Sequence, residues 1–189
     1  MKRRSLIILA LPMLLGACGY NSIQSMDERA AAAQKQISVQ LQRRADLVPN
    51  LVSTVKGFAA QEAEVFETVA KARAGLAGAV SSGNIKDMAN ANQNLTGALG
   101  RLLAISENYP TLKSDQSFLR LQDELAGTEN RIAVARTDYN QAVQDYNAYI
   151  RRFPAVMTAK VTGAKPRDYF DVTNPAAREV PTVDFSKKP

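Results

Sequence analysis

DQSFLRLQDELAGTENRIAVARTDYNQAVQDYNAYIRRF, residues 115–153, decides the fold. Within it Phe118, Leu121, Leu125, Thr128, Ile132, Ala135, Tyr139, Ala142, Tyr146, Tyr149 and Phe153 recur in steps of mostly three or four. A helix places residues at that spacing on one face, whereas a strand would alternate every second residue. Ser114 or Asp115 supplies a side chain to cap the first turn, and Pro154 closes the segment. The spacing predicts a helix of roughly 38 residues, a rod of about 55 Å. A rod with one apolar stripe must lie against other helices.

Working outward, residues 85–106 carry Met88, Leu95, Leu99, Leu102 and Leu103 on one face. Asn84 caps that helix, and Tyr109-Pro110 ends it, because a residue before proline avoids the helical region. Further upstream a stripe of Ile23, Met26, Ala30, Ala33, Ile37, Leu41, Val48, Leu51, Val55, Phe58, Val65, Val69 and Ala72 holds phase to about Leu76, which predicts one long helix. Pro49 lies inside it and removes a backbone donor, so a kink near Leu47 is expected. Gly75, Gly78 and Ser81-Ser82-Gly83 end the segment. Short loops make neighbours antiparallel. The expected fold is all-α, an elongated up-and-down bundle over residues 22–160. Residues 161–189 keep neither helical nor strand period and read as an irregular tail, draped on the bundle or loose.

The N-terminus carries an address. Lys2, Arg3 and Arg4 precede an apolar run from Leu6 to Leu15, about half of the roughly twenty residues that span a bilayer. Leu15-Gly16-Ala17-Cys18 follows, the pattern of a bacterial lipobox. Residues 1–17 read as a lipoprotein signal, Cys18 as the acylated residue, and residues 18–21 as a short tether. Gly19 is not the aspartate that commonly retains lipoproteins at the inner membrane, so the periplasmic face of an outer membrane is favoured where two membranes exist.

Composition excludes much chemistry. The 189 residues contain no histidine and one cysteine. Ser-His-Asp and Cys-His catalysis, His-ligated zinc and the Glu-x-x-His di-iron pattern all fall away. No cofactor and no metal is expected. Formal charge is +6, of which Lys2, Arg3 and Arg4 supply half, so the remainder does not call for a nucleic-acid partner. Glu62, Glu64 and Glu67 have no matching ligand cluster on the later helices. Ser53-Thr54-Val55-Lys56 fits S-x-x-K, but no S-D-N or K-T-G follows it.

Two dense polar patches remain. Arg43, Arg44, Asp46 and Asn50 surround Pro49. They suit either a recognition patch or, through Asp46 and Asn50, satisfaction of a backbone opened by the proline. Glu129, Asn130, Arg136, Tyr139 and Asn140 form the second, suited either to a binding groove or to a buried network that fixes helix register. Arg151 and Arg152 beside Phe153, with Lys160, Lys165 and Arg167, suit either an anionic surface or a solvated helix end.

The chain resembles the LemA proteins. Residues 40–52 (QLQRRADLVPNLV), Val55-Lys56-Gly57, Arg101-Leu102-Leu103-Ala104, Tyr109-Pro110 and residues 127–136 (GTENRIAVAR) carry the resemblance. Asp138-Tyr139-Asn140, Tyr146-Asn147, Phe153-Pro154 and Val183-Asp184-Phe185 complete it. The resemblance implies a four-helix, up-and-down bundle at the cell envelope, a family without an agreed activity, and partners such as HtpX-type metalloproteases or TPM-domain proteins. Relatives commonly keep an uncleaved membrane helix where this chain has a lipobox, and many carry a Trp near Gln34 and a His near Gln61. The expected function is that of a non-catalytic, lipid-anchored envelope protein acting as scaffold or adaptor. The alternatives are an accessory subunit of an envelope protease or hydrolase, and a binder of cell-wall or lipid components.

Overall fold

The computed structural model describes residues 2–171, with side chains described from Gly19 onward. The Cys18 side chain and residues 172–189, with Val183-Asp184-Phe185 among them, lie outside that description. Six α-helices follow in order: α1 (Lys2–Lys56), α2 (Ala63–Ser82), α3 (Ile85–Ile105), α4 (Pro110–Lys113), α5 (Gln116–Tyr149) and α6 (Ala155–Thr162). No strand occurs among the described residues. The protein is an all-α bundle, as its periodicity predicts.

α3 and α5 begin where their caps direct. The Asn84 side chain accepts from the Lys86 and Asp87 amides at 3.0 and 3.3 Å, and Asp115 Oδ1 accepts from Phe118 N at 2.9 Å. Gly83, at φ 71°, closes α2 in the left-handed region that favours glycine, its amide donating to Val80 O. The stripe of α5 buries Phe118, Leu125, Thr128, Ile132, Ala135, Tyr139, Val143 and Tyr146. α1 packs along α5 for most of its length, and α2 packs on α3 and α1. Gln34 meets Gly83, Arg44 meets Asn92 and Glu129, and Arg73 meets Ala45. Those pairings make α1 and α3 parallel to each other and antiparallel to α2 and α5, an up-and-down order.

Two expectations are corrected. The single helix from Ile23 to about Leu76 is two helices: α1 stops at Lys56, residues 57–62 turn, and α2 returns antiparallel. The turn hides because the apolar phase carries on through it: Phe58, the next stripe position after Val55, is 39% exposed, and the neighbouring Ala59 is buried instead. α1 continues past Pro49, so the proline does not end the helix. The long third helix ends at Tyr149, four residues early, and Phe153 is 84% exposed where the stripe would bury it. Beyond it α6 forms from residues with no apolar stripe of the usual kind: it buries Ala155 and Ala159 and leaves Met157 and Val161 outside.

Because α2 and α3 are short, the molecule is a four-helix bundle at one end and an α1–α5 pair at the other. At the paired end a second small core of Ile23, Tyr146, Ile150 and Ala159 seats α6. Residues 164–171 then lie as a strap along α5, burying Phe170 in the main core. Of the two options for the tail, its described part is draped.

Candidate functional site

The first polar patch divides at the surface. Arg44 points inward and is 5% exposed; its Nη1 donates to Asn92 Oδ1 at 2.6 Å and pairs with Glu129 Oε2 at 2.5 Å. One guanidinium therefore ties α1 to α3 and α5, joining a residue of each sequence patch. Burial pulls the Arg44 pKa below its usual value and the Glu129 carboxylate pushes it back up. Arg44 Nε is buried without a protein partner, so the node is incompletely satisfied. Arg43, Asp46 and Asn50 are exposed, and Asp46 accepts from Gln42 Nε2 one helical turn earlier at 2.8 Å.

Pro49 leaves the Ala45 carbonyl without its helical donor, since a proline nitrogen has no hydrogen to give. Neither Asp46 nor Asn50 fills the gap. Arg73 Nε, from α2, donates to Ala45 O at 2.9 Å. The proline thus creates an acceptor that a neighbouring helix uses, which fixes how α2 lies on α1.

The second patch holds the strap. Tyr139 OH donates to Asp168 O at 2.7 Å. Asn140 and Asn147 each grip one backbone residue with both ends of the amide. Asn147 accepts from Arg167 N at 2.8 Å and donates to Arg167 O at 2.9 Å, and Asn140 does the same to Phe170 at 2.9 and 3.2 Å. Seven helical residues advance about 10.5 Å, and three extended residues about 10 Å, so the two grips match in pitch. Arg167 closes the strap on α1 with a two-pronged contact to Asp27, Nε–Oδ1 at 2.7 Å and Nη2–Oδ2 at 2.9 Å. The hydrogen bonds to Asp27 raise the Arg167 pKa against partial burial. Burial raises the phenol of Tyr139, with Asp168 adding to it and Arg167 opposing; Tyr146 is likewise raised by burial, with help from Asp27. Asn147, Asn92, Arg73 and Asp27 are the partners that sequence reasoning missed. The Tyr146-Asn147 pair, seven residues after Tyr139-Asn140, was the available signal. Asn130 and Arg136 stay exposed.

On the opposite flank of α5 the α1–α5 seam is open. Asp138 and Asp145 each precede one of the gripping asparagines by two residues, about 200° around the helix from Asn140 and Asn147. Two adjoining hollows of about 410 and 610 Å³ share Asp138 and run from Met26 to Gln40 on α1, a distance of about 21 Å at the helical rise. Val134, on the rim, is 62% exposed. Gln40 lines this groove, and its Oε1 is buried without a protein hydrogen-bond partner. Groups of three or more His, Cys, Asp or Glu that could hold a metal are absent among the described residues. No described helix is long and apolar enough to cross a membrane.

A short four-helix bundle, extended by a two-helix stalk whose strap is gripped by paired asparagines, defines the class. The chain belongs to the LemA family, which residues 33–185 match. It is also similar to the magnetosome proteins MamQ 1 and MamQ 2 of Paramagnetospirillum magneticum and MamQ of Magnetospirillum gryphiswaldense. Each is 32% identical over 174 residues, an alignment that covers 80% of this chain and 64% of the relative. The chain thus spans a little under two thirds of those relatives' length.

Proposed function

We propose that this protein is a non-catalytic, lipid-anchored envelope adaptor that receives a helix of a partner protein in the α1–α5 groove. The observation that carries the proposal is the groove itself, about 21 Å long, with an apolar rim at Val134 and an unpaired buried acceptor at Gln40. A helix of about 14 residues spans that length. The sequence supports the anchor through Leu15-Gly16-Ala17-Cys18, and the absence of histidine removes the commonest acid–base group. Similarity to magnetosome proteins agrees with a role at a cellular assembly, and an envelope enzyme such as an HtpX-type protease is a suitable partner by family resemblance.

The test is chemical crosslinking in cells followed by capture of the full chain, with Val134→Arg and Cys18→Ala as comparators. One stoichiometric envelope protein, reduced at least tenfold by Val134→Arg and by mislocalisation, is the expected result. Capture of the same proteins by wild type and Val134→Arg would overturn the groove as the docking site.

A further inference from the structure

The geometry points to α6 as a second membrane contact, a short interfacial helix that lays Met157 and Val161, with Phe153 in the turn before it, on an anionic bilayer beside the anchor. The helix is inside out by soluble standards. Its small residues, Ala155 and Ala159, face the bundle, while Phe153, Met157 and Val161 are 84%, 59% and 88% exposed at steps of four. Met157 and Val161, four apart in α6, share its outward face, and Phe153 stands exposed in the turn that leads into the helix. An apolar strip of that kind, in a segment with only alanines to hold it inward, fits burial in something other than the protein's own core.

Charge identifies the occupant. From Ile150 to Arg167 the chain has Arg151, Arg152, Lys160, Lys165 and Arg167 and no acidic residue. Arg167 is spent on Asp27, and the other four are exposed around the strip. Apolar side chains rimmed by exposed cations match the interface of a bilayer with anionic headgroups. Position agrees: a methyl group added at Gly19 would stand 3.2 Å from Thr158 Oγ1, so α6 packs on α1 one residue beyond Cys18. Tyr20, 45% exposed, lies at the same end. A lipid on Cys18 would hold the strip at the membrane surface, and the strip would in turn fix the orientation of the stalk. This inference rests on the anchored reading above.

The chain contains no tryptophan, so Phe153→Trp installs a single reporter on an exposed side chain. The expected result is a blue shift of its emission, and quenching by brominated acyl chains, on vesicles of phosphatidylethanolamine with phosphatidylglycerol. A Val134→Trp reporter in the groove should stay unchanged. Arg151→Gln with Arg152→Gln should weaken partitioning by about fivefold per cation removed. Emission from the Phe153→Trp protein that remains water-like once it is bound to vesicles would overturn the inference. So would an emission already blue-shifted without lipid, which would mean that protein covers the strip. Equal response on phosphatidylcholine alone, insensitive to the double substitution, would overturn the anionic assignment. Mass spectrometry of Cys18 judges the anchor separately: an unacylated Cys18 with a lipid-responsive reporter at position 153 fails the anchor and keeps the helix contact.

Discussion

Replacing Arg44 by methionine and, separately, Glu129 by alanine should have unequal costs, and the order of the two is set by exposure. Arg44 is 5% exposed and Glu129 47%. At an effective dielectric of about 20, charges about 4 Å apart attract by about 4 kcal/mol. Taking a guanidinium out of water costs several kcal/mol, so attraction and desolvation nearly cancel. Arg44→Met removes both terms and fills the space with an unbranched apolar chain; it also removes the unsatisfied Nε. Stability should stay within about 1 kcal/mol of wild type. Glu129→Ala keeps the desolvated cation and leaves it only Asn92. A fully buried broken pair costs about 3–5 kcal/mol; because water reaches the Glu129 site, about 2 kcal/mol is expected. That is a fall of about 4–8 °C in Tm for a chain of this size. Urea unfolding followed by helical circular dichroism measures both variants. If Arg44→Met is the more damaging by about 1 kcal/mol or more, the node is a net stabilising bridge and the reasoning fails.

The backbone acceptor made by Pro49 gives a second prediction. Arg73→Ala should cost about 1–2 kcal/mol by orphaning Ala45 O, and that cost should shrink in a Pro49→Ala background, where the helix supplies its own donor. A double-mutant cycle with no coupling would remove the link. In the strap, Asn147→Ala should lower hydrogen-exchange protection of the Arg167 and Phe170 amides about tenfold while the α2 and α3 amides keep theirs, the equivalent of about 1.4 kcal/mol of local stability. Equal loss across the bundle would mean that the strap does not open by itself. The phenols of Tyr139 and Tyr146 are raised in the folded protein, so the folded state binds more protons than the unfolded at high pH. Their contribution is complete below pH about 10 and is lost as pH rises through the folded values. A stability profile flat to well above that pH, or one lost to Tyr139→Phe at neutral pH alone, would contradict this.

What the sequence made legible followed from side chains that act locally. Asn84 and Asp115 cap the next helix within three residues, and the α5 stripe needs only its own spacing, so both helices could be placed to within a few residues. The α1–α2 reversal could not. Gly57 is its sole breaker, and Ala59, Ala60, Gln61 and Glu62 are good helix formers. Beyond its local backbone hydrogen bonds, the turn is tied to a residue distant in sequence: the Gln61 amide donates to the Tyr109 hydroxyl, two helices further along the chain. α6 was missed because its apolar residues face outward, against the rule by which helices are read. The polar patches were visible as dense clusters, but their partners were not. Arg44 finds Asn92 48 residues away, and Asn140 holds Phe170 across a reversal of the chain. Residues that suited a surface for a partner are, in Arg44, Tyr139 and Asn140, spent within the molecule, and the open groove lies on the side that carries few of them.

Site-specific photo-crosslinking in living cells tests the adaptor proposal most directly, with the reactive group placed at Val134 in the groove or at the exposed Thr96 on α3. An envelope protein joined from position 134 and not from 96, through a helical segment of the partner, is the predicted result. Crosslinks from 134 only to lipid, to wall fragments or to nothing, in cells where the protein is correctly localised, would contradict it.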